Sequence, residues 1–339
     1  MNLKKSFVTT LKVVALATVL VLSFGMLLGC GGGAASGDTV VIATNADEEA
    51  VQIMSQALNA NGFSGQFIFQ ELGTAELGGR LMAEGTNIEA DIITLASFYL
   101  ESSQEQDNTF VAFDAGVTTL QDFPDYMAPI LAITGSIFVN TELMESDGLP
   151  LPTSIADLAD PVYAGNLAIA DINSSTTAWL LTQALLDNYG EAEAEAILEG
   201  IYRNAGDQVL ASGSGPIRAV RAGEVAVGFG LRHTAVADNA AGLPIDFIDP
   251  AEGNYQLVEA LSVVNKGENT NPLAEEMARV IIQYARVGLQ EYYPMALFEG
   301  EATDVAHQPA DPRVFPQPLT LELLLEHQAI VDRAARAAN

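Results

Sequence analysis

Cysteine is nearly absent from this chain: one, Cys30, stands among 339 residues. No disulfide can close within the chain, and no pair of cysteines can bind metal or exchange thiols. The fold has to rest on its apolar core. Cationic residues are scarce as well, with 14 Lys and Arg against 44 Asp and Glu. Three of the four lysines fall in the first 29 residues. From Cys30 onward 11 basic residues face 44 acidic ones, a net charge of −33. No basic patch is available for phosphates, which argues against nucleic acid as a partner. Lysine depletion with excess acid is also the pattern of a surface kept soluble in high salt. Histidine is limited to His233, His307 and His327. There is no His-x-x-x-His pair, no dinucleotide fingerprint and no Gly-Lys-Ser/Thr phosphate loop. The composition points away from an enzyme and calls for no cofactor; an exported enzyme is the distant alternative.

The chain begins with a basic start (Lys4, Lys5, Lys12), an apolar core and then Leu27-Leu28-Gly29-Cys30. That order of charge, grease and small residue predicts a secretory signal over 1–29. The cysteine after Leu-Leu-Gly resembles the lipobox of bacterial lipoproteins. The resemblance implies cleavage ahead of Cys30, a diacylglycerol on its thiol, and attachment at the outer face of the cell membrane or in the periplasm. "GGGAASGD" (31–38) reads as a flexible tether, so 30–38 would link lipid to domain. The 310 residues left after cleavage suffice for two domains.

Short apolar runs then alternate with helical patterns. Strands are predicted at 39–44, 66–72 and 90–97, with helices at 47–62 and 74–85. This βαβαβ order argues a parallel sheet with helices on both faces. The order restarts with a strand at 166–172, helices at 174–190 and 191–206, then strand, short helix and strand through 230. Two long extended stretches, 127–143 and 255–267, separate the two sets. Helices at 271–288 and 320–338 follow. The expectation is an α/β protein of two lobes joined by two extended hinge crossings: lobe one from 39–135 plus 260–339, lobe two from 136–259.

Several stretches carry a likeness in their order. They are "ELGTAELGGRLMAEGTNIEADIITLAS" (71–97), "IFVNTELM…GLPLPTSIADLADPVYAGNLAIADINSSTTAW" (137–179), "RAGEVAVGFG" (221–230) and "AGLPIDFIDPAEG" (241–253). Together they resemble the class II, periplasmic-binding-protein-like solute receptors of bacterial ABC importers. The likeness covers most of the mature chain and is closest to the branch that holds ferric ion, thiamine or phosphonates. It implies a ligand clamped between two lobes, a monomeric receptor, and importer membrane subunits as partners.

Ligands of α/β lobes sit just beyond the carboxyl ends of strands. Those positions are Thr44-Asn45, Thr74, Ser97, Ser174–Thr177, Ser212-Gly213-Ser214 and Arg232. Nearly all are hydroxyl, amide or glycine, suited to hydrogen-bonding a small polar ligand. In "NSSTTAW" one residue, Asn173 or Ser174, suffices as helix cap, and Ala178, Leu181 and Leu185 would form the buried face. The surplus hydroxyls Ser174, Ser175 and Thr176 sit where free backbone N–H groups and the helix dipole favour an oxyanion. Ser212, Gly213 and Ser214 would add donors. Arg232 would supply counter-charge, or alternatively pair with an acid such as Asp238. The expected ligand is a phosphonate or related oxyanion. A ferric ion or other metal is the rival. The ferric branch carries adjacent tyrosines shortly after the strand at 225–230, where this chain reads "LRHTAVADNA"; Tyr292-Tyr293 lies elsewhere and resembles the family's ordinary Tyr-Pro segment. No metal site is therefore expected.

Overall fold

The computed structural model describes residues 39–302 and 307–339. The predicted signal, the tether and Cys30 lie outside the described residues. The elements run β1 (Val40–Thr44), α1 (Glu48–Ala60), β2 (Phe67–Glu71), α2 (Thr74–Glu84), β3 (Ile92–Ala96), α3 (Ser97–Asp107), β4 (Ala128–Asn140) and α4 (Thr141–Asp147). They continue with β5 (Leu167–Ala170), α5 (Thr177–Tyr189), α6 (Glu191–Ala205), β6 (Val209–Leu210), α7 (Gly215–Arg221), β7 (Val227–Leu231) and α8 (Arg232–Ala240). The last are β8 (Ile245–Ile248), β9 (Asn254–Val263), α9 (Pro272–Val280), α10 (Arg286–Tyr292), β10 (Pro312–Arg313) and α11 (Leu321–Ala338).

The sheet order is β2-β1-β3-β9-β4-β7-β5-β6. β1 lies parallel to β2 and β3, and β5 parallel to β6 and β7. These are the two βαβ sets read from the sequence. Antiparallel β9 and β4 join them. β4 is buried along all 13 residues, because it changes partners midway. Ala128–Thr134 pair with β9, then Gly135–Val139 pair with β7. Gly135 marks the switch: a Cβ there would stand 2.7 Å from the Phe229 ring. Its carbonyl accepts from Asn254 Nδ2 at 3.0 Å, on the other crossing strand. Two adjacent strands thus carry the chain between lobes, the architecture of the class II periplasmic-binding-protein fold.

Helix α1 buries Ala50, Met54 and Leu58 at successive i+4 positions, with Glu48 and Glu49 in its first turn where the dipole favours acids. α5 differs from expectation. All of Thr177–Leu185 is buried, so the helix is apolar-packed all round instead of on one face. α6 and the crossing strands β9 and β4 pack on it, and α11 lies over α5 and α6. Trp179 Nε1 donates to His327 Nδ1 at 2.7 Å, and Arg333 meets Glu191 and Glu195 at 2.9 and 2.7 Å. The final helix therefore packs on the 166–206 elements, although its sequence position had grouped it with lobe one. The pattern at 271–288 also splits: a π turn, Ile281–Ala285, interrupts the helix and leaves Ile281, Ile282, Ala285 and Arg286 all buried. α3 and α8 were not foreseen. Polar side chains on α3 mask its buried Phe98, Tyr99 and Leu100.

A ring of aromatic groups surrounds Trp179, the chain's only tryptophan. Phe98 of α3 meets it edge-on at 5.2 Å and Phe315 at 5.1 Å. Phe98 belongs to the first set and Trp179 to the second, so this cluster binds the two lobes together.

Candidate functional site

Five strand ends converge on a cavity of about 50 Å³. Its floor is Leu131 and Ile133 of β4 with Leu231 of β7. One wall is Ser175, Thr176 and Thr177 with Gly213; the other is Asn45, Ala46, Asp47, Thr74, Glu259 and Tyr293. β4 and β9 pass beneath, so the cavity lies where the lobes meet.

The α5 wall is built tightly. The turn before the helix is closed by Asp171, whose carbonyl accepts from Ser174 N at 3.1 Å and Ser175 N at 2.9 Å. The helix itself starts at Thr177, later than the sequence pattern suggested. Asn173 and Ser174 do not cap it. Asn173 N and Ser174 Oγ both donate to the Asp171 carboxylate, at 3.0 and 3.3 Å. The first helical N–H, that of Thr177, donates to Ser175 Oγ at 3.3 Å. Gly213 comes against these hydroxyls so closely that a Cβ would lie 2.3 Å from Thr177 Oγ1 and 3.0 Å from Ser175 Oγ. Only glycine leaves this cradle open.

The opposite wall is rich in acceptors. Asn45 Nδ2 donates to Thr74 Oγ1 and to Glu259 Oε1, both at 3.0 Å. That fixes the amide and leaves Asn45 Oδ1, a buried oxygen, without a hydrogen-bond partner. Tyr293 OH donates to Asp47 Oδ2 at 3.5 Å. Glu259 is 5% exposed. Burial, reinforced by the charge of Asp47 and opposed by the Asn45 bond, pushes its carboxyl up to about 7. Burial and then Glu49 raise Asp47, while Tyr293 and Arg218 act the other way. Burial, with Asp47 and Glu259 alongside, holds the Tyr293 phenol well above its ordinary range. A protonatable wall rich in acceptors thus faces a wall of hydroxyls at the start of a helix, whose Thr177 and Ala178 amides are already bound by Ser175.

Of the positions singled out in the sequence, Asn45, Thr74, Ser175, Thr176, Thr177 and Gly213 line the cavity. Thr44 stands behind it: its Oγ1 accepts from Ala46 N at 3.0 Å and from Thr94 Oγ1 at 2.6 Å, shaping the loop. Ser97 opens α3 and is not a lining residue. Ser174 turns to Asp171. Ser212 and Ser214 accept from Arg218, at 2.8 and 2.6 Å. Arg232 is the clearest correction. Its guanidinium grips Asp249 bidentately at 2.6 and 3.0 Å, donates to the His307 carbonyl at 2.6 Å and lies over the Phe247 ring. The charge is spent on Asp249, not on the cavity, because Asp249 sits between Arg232 and the crossing-strand residue Asn254. Asp238, the acid offered as its alternative partner, pairs with Arg221.

Asp47, Glu259 and Tyr293 were missed. Glu259 had a signal: it is an acid inside the otherwise apolar "LVEALSVV". The adjacent tyrosines diverge. Tyr293 lines the cleft cavity, while Tyr292 lines a second cavity of about 350 Å³ with His233, Val236, Ala237, Ala240, Glu291, Pro294 and His307. The His233 and Tyr293 rings, 4.2 Å apart, stand between the two. Among the described residues no cluster of three or more His, Cys, Asp or Glu is placed to hold a metal.

A two-lobe α/β clamp with a polar cavity over its crossing strands defines a class II periplasmic binding protein. The first relative found is an uncharacterised protein of Haemophilus influenzae, 30% identical over 132 residues, which are 39% of this chain and 38% of that one. The match thus spans well under half of its length. The Fe(3+)-binding periplasmic protein of Serratia marcescens is 27% identical over 236 residues, 68% of each chain. The periplasmic binding protein AfuA of Actinobacillus pleuropneumoniae, solved with fructose-6-phosphate, shares the fold at a TM-score of 0.69. It is 18% identical, over 89% of this chain and 96% of that one. Residues 96–286 match the family of bacterial extracellular solute-binding proteins, and the chain belongs to it. The family consists of binding proteins, so the chain is a solute-binding protein and not an enzyme.

Proposed function

We propose that the protein is the receptor of an ABC importer and clamps a small oxyanion-bearing ligand in the cleft cavity. One observation carries the reading: Ser175, Thr176 and Thr177 at the start of a 13-residue helix converge with Gly213 on a half-open cavity. Hydroxyls at the positive end of a helix dipole bind oxyanions without a full positive charge. Arg218, tethered to Ser212 and Ser214 and near enough to act on Asp47, supplies the nearby cation in place of Arg232. Ser212 and Ser214 then serve the ligand through Arg218. A phosphonate fits this chemistry, and AfuA, which has the same fold, is solved with fructose-6-phosphate bound. We assign 39–134 and 259–302 to one lobe. The middle of the chain with α11 forms the other, and the lobes close by bending at Gly135 and Asn254. Cys30 would carry the lipid that keeps the receptor beside its importer.

Ferric ion is the second reading, favoured by the Serratia marcescens relative and by the oxygens of Asp47, Glu259 and Tyr293. It requires one phenolate to serve alone, since Tyr292 faces the other cavity. Thermal shift with phosphonates, phosphate, sugar phosphates, thiamine and ferric salts separates the two. An oxyanion should stabilise by RT ln(1 + [L]/Kd), about 2.7 kcal/mol at a hundredfold excess over Kd. Ser175→Ala and Thr176→Ala should weaken that shift. Stabilisation by ferric ion alone, with a charge-transfer colour, would refute the oxyanion.

A further inference from the structure

We propose that Glu259 meets the oxyanion as a neutral carboxylic acid, donating the proton on Oε2 to the ligand, so that binding takes up a proton from solution. This rests on the oxyanion reading of the α5 wall and adds a specificity-determining donor from the opposite wall.

Glu259 stands on β9, one of the two crossing strands, and its register neighbours are Ala96 of β3 and Leu131 of β4. Neither can solvate or pair a charge. The residue is 5% exposed and lines the cavity. Oε1 accepts from Asn45 Nδ2 at 3.0 Å, and Oε2 has no partner among the described residues. A buried carboxylate with one neutral donor and no cation is unfavourable. Protonation removes the charge and turns the open oxygen into a donor.

The groups facing Glu259 push the same way. Asp47, at the start of α1 with Glu49 behind it, and Tyr293, after α10, share its wall. Two carboxyls in one cavity disfavour each other's ionisation. Tyr293 stays a neutral phenol, and burial holds the His233 ring, 4.2 Å from it, neutral at about 3. α5 brings only the hydroxyls of Ser175, Thr176 and Thr177, and no Lys, Arg or His lines the cavity. Arg218 is tethered to Ser212 and Ser214 and acts on Asp47. Asp47 thus has a counter-charge nearby and Glu259 has none. Burial, opposed by Asn45 and reinforced by Asp47, puts Glu259 at about 7. An oxyanion brought beside it adds negative charge and raises it further. The cavity of about 50 Å³ keeps a ligand within reach of both walls. Its acceptors then meet the α5 hydroxyls on one side and Glu259 on the other. Thr74 joins them, since its oxygen accepts from Asn45 and its own proton is uncommitted.

The test is isothermal titration of the mature chain with ethylphosphonate, from about pH 6 to pH 9, in buffers of different ionisation enthalpy, which counts the protons bound. Glu259→Gln keeps the shape and the Asn45 bond and donates at every pH. Its difference from the parent cancels the titration of the ligand itself. At about pH 8 the parent should take up about one proton more per ligand than Glu259→Gln. Between about pH 7 and pH 9 its affinity should fall at least about tenfold more than the variant's. Asp47→Asn, in a chain that keeps Glu259, should move the onset of that fall to lower pH, a shift that a merely structural role would not produce. Equal proton uptake and equal pH dependence in parent and Glu259→Gln overturn the proposal and leave the oxyanion reading intact. Loss of ethylphosphonate binding in a folded Glu259→Gln also overturns it, because the ligand then needs the ionised form. So does an onset that stays in place in Asp47→Asn. Binding of neither ethylphosphonate, phosphate nor fructose-6-phosphate by the parent at any pH overturns both.

Discussion

Removing the Arg232 side chain should unfold the protein more easily without touching the ligand. The guanidinium is 4% exposed and makes two bonds to Asp249 and one to a backbone carbonyl. Asp249 in turn accepts from Asn254, whose other bond holds Gly135 on the neighbouring crossing strand. Arg232→Ala leaves Asp249 half-buried with only Asn254 and Ala310 N as donors. Breaking a buried pair on one side costs about 3–5 kcal/mol. In a chain of this size each kcal/mol moves Tm by about 2 °C, so a fall of about 6–10 °C is expected by calorimetry. Affinity, titrated well below that Tm, should stay within about threefold of the parent. A variant with an unchanged Tm and lost binding would refute this reasoning and return Arg232 to the ligand.

The other expectations concern separate parts of the molecule. Gly213→Ala places a methyl 2.3 Å from Thr177 Oγ1; titration should show at least about a tenfold affinity loss, and urea melts about 1–3 kcal/mol of overpacking. Burial holds His327 down at about 4 against an ordinary 6.5, with Glu191 opposing. The fold favours its neutral form, so its contribution is present above pH 6.5 and is lost as pH falls toward 4, by about 2 kcal/mol at pH 5. The difference in urea midpoints between parent and His327→Gln should trace that window, and a flat difference would contradict it. Trp179 stands two residues beyond Thr177 and donates to His327, so its emission should shift on ligand addition and lose that response in Gly213→Ala. With a net charge of −33 the mature chain should unfold at higher temperature in molar salt than in dilute buffer; equal midpoints would count against a salt-adapted surface.

Strand-and-helix order was legible because each βαβ unit carries its own period and its own turn signals. Parallel strands such as Ile92–Ala96 are buried on both faces and read as continuous apolar runs. The helix at Ser97–Asp107 was hidden because its burial is set by what packs on it, not by its own pattern. α11 misled for a related reason: sequence distance placed it with lobe one, and Trp179, Glu191 and Glu195 draw it to the other side. The cavity was half legible. Hydroxyls and glycine after strands mark a helix-start site locally. Asp47, Glu259 and Tyr293 are far apart in sequence and meet only when β1, β9 and α10 pack together. Arg232 illustrates the limit of strand-end position: the backbone location was right, but the side chain follows the acid nearest to it.

The most direct test is a crystal structure of the mature chain with ethylphosphonate. The account places the phosphonate at Ser175, Thr176, Thr177 and Gly213. A ligand found instead in the 350 Å³ cavity beside His233, Glu291 and Tyr292, or bound to Arg232, would contradict it.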